Sequence, residues 1–243
     1  MERRSIAFIA LFAIIATFWA ARSTADEWQV EITSTLWLTG IDATVTAGSH
    51  TAEVSVGFDD LIDKVDAAFA FILTAQKDQL IIWAQYDFYS LNEEGVSPLG
   101  PAVVDIDTTF FAAGVGWQFL GGVTEDATTE VLIGVRQLSI ENEIVISGVG
   151  SGRSKADITD TILGVRLGIP FGESGKWHFN PIISIGAGDS EEVWELQPQV
   201  EYRFSKTWAT RFGYRILNYE IKGEKADFDG SFHGLIFGFS GKF

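Results

Sequence analysis

Five arginines and five carboxylates stand at alternating positions in stretches that are otherwise largely apolar or aromatic. They are Arg136, Arg166, Arg203, Arg211 and Arg215, and Glu31, Asp87, Asp160, Glu195 and Glu201. In an extended strand successive side chains point to opposite faces, so this spacing puts the charges on one face and the apolar residues on the other. If the sheet closes on itself with the apolar face outward, all ten share a narrow interior. Buried charges of one sign are very costly there, so they must pair or stay wet. Two chemistries fit: a network of ion pairs and hydrogen bonds that fills and rigidifies the interior, or a charged constriction in a narrow pore. Barrels of about eight strands have interiors filled by side chains, and about ten strands give little more room. A closed network is therefore expected over a wide channel.

Catalytic constellations are sparse. The chain has 3 histidines, His50, His178 and His233, and 0 cysteines. Nucleophilic catalysis needs a histidine beside a serine or a carboxylate. Ser231 and His233 come nearest, but a spacing of two residues marks neighbours on one strand face better than a catalytic pair. Asp227-Phe-Asp229-Gly230 has a fragment of a calcium loop without its later glutamate. Gly148-Val-Gly150-Ser-Gly152 has the glycines of a phosphate loop without a strand leading into a helix. Flexible loops are expected at both places, with no enzyme activity, no cofactor and no metal site.

Arg3 and Arg4 precede an apolar run over 6–19, and Ser23-Thr24-Ala25 follows. This reads as a secretory signal cleaved after Ala25, because the run is shorter than the roughly 20 residues that span a bilayer as a helix. One domain is expected over 26–243. Loss of Arg3, Arg4, Arg22 and Glu2 takes the 17 basic and 33 acidic residues to 14 and 32, and the formal charge from −16 to −18. Such a surface repels nucleic acid. Many acids crowd into expected loops, including Asp59, Asp60 and Asp63, Glu93 and Glu94, and Asp189, Glu191 and Glu192. They read as solvated charge, with a divalent-cation bridge to anionic lipid headgroups as the alternative. An exported chain without cysteine has no disulfide framework, so its stability must come from the sheet and its packing.

Ten period-two stretches follow one another at 28–38, 67–76, 80–90, 105–119, 131–136, 163–167, 177–188, 194–204, 208–216 and 230–243. Each is an individually weak signal of a spanning barrel strand. The fold expected is all-β, a closed antiparallel transmembrane barrel of about ten strands, with eight or twelve also compatible. The polar face of the fourth stretch switches near Thr109, which predicts a bulge. Pro181 in the seventh cannot donate to a ladder and predicts a local irregularity. Links after the first, third, fifth and ninth stretches are long, as outer loops would be, and several others are short, as periplasmic turns would be. Residues 43–56 form either an extra hairpin in the first loop or two more spanning strands. Phe58, Leu61, Ile62 and Val65 fall at helical spacing and predict a short amphipathic helix in the first outer loop.

The last stretch, Gly230-Ser-Phe-His-Gly-Leu-Ile-Phe-Gly-Phe-Ser-Gly-Lys-Phe243, alternates throughout and stops on an aromatic. It resembles the C-terminal strand of bacterial outer-membrane barrels. With Leu36-Trp-Leu38, Phe58-Asp-Asp-Leu61, Gly164-Val-Arg166, Gly186-Ala-Gly188, Tyr202-Arg-Phe204 and Gly213-Tyr-Arg215, the whole segment after the signal resembles a family of Gram-negative outer-membrane barrels. It is more loosely similar to the small OmpA, OmpW and opacity-type barrels. The resemblance implies a cell outer membrane location, contact with outer-membrane lipid and lipopolysaccharide, and Phe243 as an insertion signal read by the barrel-assembly machinery. It carries over no catalytic residue. The expected role is structural or a narrow permeability to small solutes. The alternatives are an interaction barrel working through acidic outer loops and, less favoured, a lipid-modifying enzyme.

Overall fold

A computed structural model describes residues 28–58, 65–97, 100–120, 124, 126–223 and 227–243. The expected signal segment and most of the expected helix, 59–64, lie outside the described residues. Val65, which that helix was to include, instead begins a strand.

Thirteen strands form one antiparallel sheet: β1 (Gln29–Ala47), β2 (His50–Val56), β3 (Val65–Lys77), β4 (Leu80–Ser97), β5 (Gly100–Leu120), β6 (Thr128–Ile146), β7 (Gly150–Phe171), β8 (Trp177–Phe179), β9 (Ile182–Gly188), β10 (Glu192–Gln197), β11 (Gln199–Arg203), β12 (Trp208–Lys222) and β13 (Asp227–Lys242). The sheet closes. β1 pairs with β3 on one side and β13 on the other, and β12 joins β13 to β10 and β11. β8 and β9 are two pieces of one wall strand interrupted at Asn180-Pro181, and β10 and β11 are pieces of another interrupted at Pro198. Counting each pair once, and setting aside β2, the described residues form a ring of ten wall strands. A proline has no N–H to give a ladder, so both interruptions have the same cause. At the second, the Pro198 carbonyl still accepts from Tyr214 N at 3.0 Å.

Residues 43–56 form a hairpin, the end of β1 folding back on β2 through Gly48, whose φ of 61° suits a residue without Cβ. They do not add two spanning strands. No bulge occurs at Thr109, where the register of β5 with β4 and β6 runs on unbroken. The outward residues simply change from Phe111, Val115, Trp117 and Phe119 to Thr109, Asp107 and Asp105. An apolar belt gives way to a polar one on the same face. The irregularity in this part of the sheet lies between Val65 and Ala67 of β3. Expected loops at 227–230 and 150–152 are strand, in β13 and β7. The links after β4 and β6 are brief, because the strands themselves run on beyond the belt.

Alternation sorts the side chains. Ile133 is 53% exposed, Ile185 61% and Phe237 47%, whereas Leu138 is 1% and Leu217 0% exposed. The exposed set forms a continuous apolar outer wall, and the buried set fills the interior. Gly114 and Gly134 face each other across β5 and β6, and a Cβ on Gly114 would lie 2.0 Å from the Ile133 carbonyl oxygen. Only glycine permits the wall to approach itself so closely there. At one end the links are those after β3, β5, β7 and β11, and Phe243 exchanges backbone hydrogen bonds with Val30 at 2.8 and 2.9 Å. At the other end, ribbons of the sheet project: residues 150–157 of β7, paired with β6, are exposed on both faces, as are residues 50–55 of β2, paired with β1.

Candidate functional site: the charged lumen

The charged residues enter the lumen because they occupy the strand positions that alternate with the apolar wall. On β10 and β11 these are Glu195, Gln197, Gln199 and Glu201, all buried. On β12 they are Arg211 and Arg215. The phase survives the break at Pro198.

A central layer is built around Arg215. Its Nε donates to Glu195 Oε1 at 2.7 Å, its Nη1 donates to Asp87 Oδ2 at 3.0 Å, and its guanidinium carbon lies 4.3 Å from the centroid of the Trp37 ring. Gln85 Nε2 donates to the same Asp87 oxygen at 2.8 Å. Arg136 reaches the other oxygen of Glu195, completing a chain Arg136, Glu195, Arg215, Asp87 across the barrel. All four side chains are at most 4% exposed. Two fixed cations alternate with two fixed anions, so each desolvated charge has an opposite charge in contact.

A second layer lies nearer the chain terminus. Arg211 Nε donates to Glu201 Oε2 at 2.5 Å and its Nη1 donates to Thr33 Oγ1 at 3.2 Å, while Nη2 pairs with Glu31. Arg203 takes the second oxygen of Glu201 at 2.5 Å and is itself 52% exposed. Arg166 pairs with Glu130 at 2.5 Å, and Gln118 Nε2 donates to that carboxylate at 3.1 Å. Asp160 stands apart from the arginine pairs. It lies opposite Arg136 in register, yet its Oδ1 accepts from Ser190 N at 2.9 Å and Ser190 Oγ at 2.8 Å. Glu130 was not among the residues singled out from the sequence, because it stands at the start of its strand. Only the register of β6 against β7, with Glu130 opposite Arg166, reveals it.

Beyond the central layer, away from the terminus, the lumen turns apolar. Moving outward, Asp87 is followed by Tyr89, Arg136 by Leu138, Glu195 by Val193 and Arg215 by Leu217 and Tyr219. These meet Trp37, Phe110 and Phe232 in one buried cluster. Phe110 packs edge-on to Phe232 at 5.0 Å and lies 5.8 Å from Trp37, centroid to centroid. Two buried layers are therefore stacked in the lumen, charge on charge and then ring on ring.

The three histidines are far apart in the fold. His50 begins β2 and His178 is in β8. His233 is on the outer wall, where Tyr214 Oη is 2.8 Å from its Nδ1 and Asp42 Oδ2 is 2.7 Å from its Nε2. Ser55 Oγ donates to the other oxygen of Asp42 at 2.5 Å. Ser231, the nucleophile considered from sequence, accepts instead from Asn218 Nδ2 at 3.0 Å. Both ring nitrogens of His233 are thus occupied by groups other than Ser231. The four side chains tie β1, β2, β12 and β13 together. Among the described residues no group of three His, Cys, Asp or Glu is placed to hold a metal ion.

No protein-family model matches this chain, and no curated protein matches it. Among solved structures, the outer membrane protease OmpT of Escherichia coli aligns over 92% of this chain and 99% of its own, at 7% identity and a TM-score of 0.53. The attachment invasion locus protein Ail of Yersinia pestis aligns over 87% and 99%, at 10% identity and a TM-score of 0.35. Neisserial surface protein A aligns over 92% and 100%, at 13% identity and a TM-score of 0.34. At such identity the OmpT match is one of fold, and nothing about proteolysis comes with it. The chain is a closed antiparallel β-barrel, a fold it shares with the outer membrane protease OmpT, with an apolar wall and a charged interior.

Proposed function

We propose that this protein is an integral outer-membrane barrel with a sealed lumen, serving a structural role in the membrane. The observation that carries the reading is the stacking of the buried Arg136, Glu195, Arg215, Asp87 chain under the buried Trp37, Phe110, Leu138, Leu217 and Phe232 cluster. A wet constriction would need its charges partly hydrated, and these side chains are buried. In this reading residues 1–25 are removed on export, and the end carrying Phe243 and the turns after β3, β7 and β11 faces the periplasm. The ribbons face outward, and lipid and lipopolysaccharide surround the wall. The terminal strand engages the assembly machinery, with Phe243 as its recognised residue. Planar-bilayer recording of the purified protein tests the sealed lumen: near-zero conductance supports it, and steady channel currents favour small-solute permeability instead.

A second reading is favoured by the two-faced exposure of β2 and of residues 150–157 in β7. Strands exposed on both faces are free to meet an external partner, which makes the barrel a support for interaction. Loss of surface attachment on trimming the β6–β7 ribbon, with the barrel intact, would favour it. Unchanged attachment would exclude that ribbon.

A further inference from the structure

We infer that the terminus-end mouth of the barrel is a binding vestibule for a small multivalent oxyanion, one that carries two or more phosphate or carboxylate groups. A cavity of about 570 Å³ opens there, lined among others by Lys176, Arg203, Lys206, Trp208 and Lys242, with Glu31 and Glu201 deeper in. Two of its lining carboxylates, Glu31 and Glu201, are joined by Arg211 of the second charged layer. The cavity forms a cup at the mouth.

The charge balance of the cup is uneven. Its two carboxylates are already used: Glu201 accepts from Arg203 and Arg211, and Glu31 pairs with Arg211. Lys176, Lys206 and Lys242 are exposed, and among the described residues none has an ion-pair partner. Glu173 shares a turn with Lys176 but does not line the cup. Among the described residues, three ammonium groups without an ion-pair partner thus stand around one concavity, in a chain whose formal charge is −16. They come from three separate places, the β7–β8 turn, the β11–β12 turn and the end of β13, so they converge on the cavity only when the barrel is closed.

Among the described residues, the exposed lysines elsewhere are neutralised locally. Lys155 lies 3.4 Å from Glu141 and 3.3 Å from Asp157, and Lys222 lies 3.0 Å from Glu220. Converging ammonium groups over low-dielectric walls raise the local concentration of anions. Each lysine acts as a point charge with three donors, which suits spread-out oxyanion groups better than one planar carboxylate. The space is larger than a single inorganic phosphate needs. In the orientation proposed above, the ligand arrives from the periplasm.

Titration of the folded protein in detergent tests this without regard to orientation or conductance, using inorganic pyrophosphate in one arm and citrate in the other, followed by calorimetry. Saturable binding that weakens with added salt is expected, and the arm that binds more tightly identifies phosphate or carboxylate as the preferred group. The variant carrying Lys176→Gln, Lys206→Gln and Lys242→Gln together should lose affinity by about tenfold or more, a loss of at least ~1.4 kcal/mol. The control Lys155→Gln, at the opposite end, should bind as the wild type does. Absence of saturable binding to wild-type protein in both arms would overturn the proposal, and so would equal affinity in the triple variant. Should the triple variant not fold, Lys206→Gln alone, in an exposed turn, must still weaken binding.

Discussion

Arg215 contacts Glu195, Asp87 and the face of Trp37 at once, so its loss removes three interactions and strands a carboxylate. In Arg215→Ala, Glu195 keeps Arg136, but Asp87 keeps only Gln85. The cost of orphaning a buried ion is on the order of 3 to 5 kcal/mol, and urea unfolding in detergent should show it. Adding Asp87→Asn to that variant removes the stranded charge and should recover part of the loss. By contrast, Arg203 is half in solvent, and Arg203→Ala should cost about 1 kcal/mol or less in the same assay. Strand phase alone puts the ten charged residues on one face, but it does not tell that Asp160 pairs with Ser190 or that Arg203 stands half in solvent. Their partners were less legible. The chain Arg136, Glu195, Arg215, Asp87 joins four strands, and nothing local to any one of them reports which opposite charge lies across the barrel. Trp37 likewise alternates visibly with Leu36 and Leu38, but its place over a guanidinium depends on closure.

Strand existence was readable from alternation, and strand length was not. Polar residues at 100–109 and 139–157 continue the ladder where the apolar pattern stops, because a ribbon beyond the membrane needs no apolar face. The same logic explains why a change in outward chemistry at Thr109 suggested a bulge that the register does not contain. Pro198 was visible in the sequence, yet the flanking alternation is so regular that it masked the break. Ribbons with both faces in solvent contribute little to the barrel, so replacing residues 144–152 by a short turn should leave the folded form intact, with band position on unboiled gels as the check. Phe243 belongs to this scale too. Its backbone is paired with Val30 and its ring meets Trp208 edge-on at 6.1 Å. Removing the ring in Phe243→Ala costs at most roughly 1.5 to 3 kcal/mol, so refolding in detergent should survive. If Phe243 is the residue read during assembly, insertion in cells should fall much further than refolding does. Equal losses in both would mean that the ring matters only for packing.

A ring without sheet edges satisfies every ladder within the wall, which is the condition for crossing hydrocarbon with strands. Unfolding must open the whole ring, so the protein should migrate differently on gels before and after boiling. The sealed interior is the central claim at this scale, and single-channel recording in planar bilayers addresses it most directly. Wild-type protein should give no stable conductance at any applied voltage if, as proposed, the Arg215 layer and the Trp37 cluster close the lumen. Reproducible wild-type channels of fixed conductance, shifted in ion selectivity by an Arg215→Ala protein that remains stable, would contradict a closed network and make the lumen a pore.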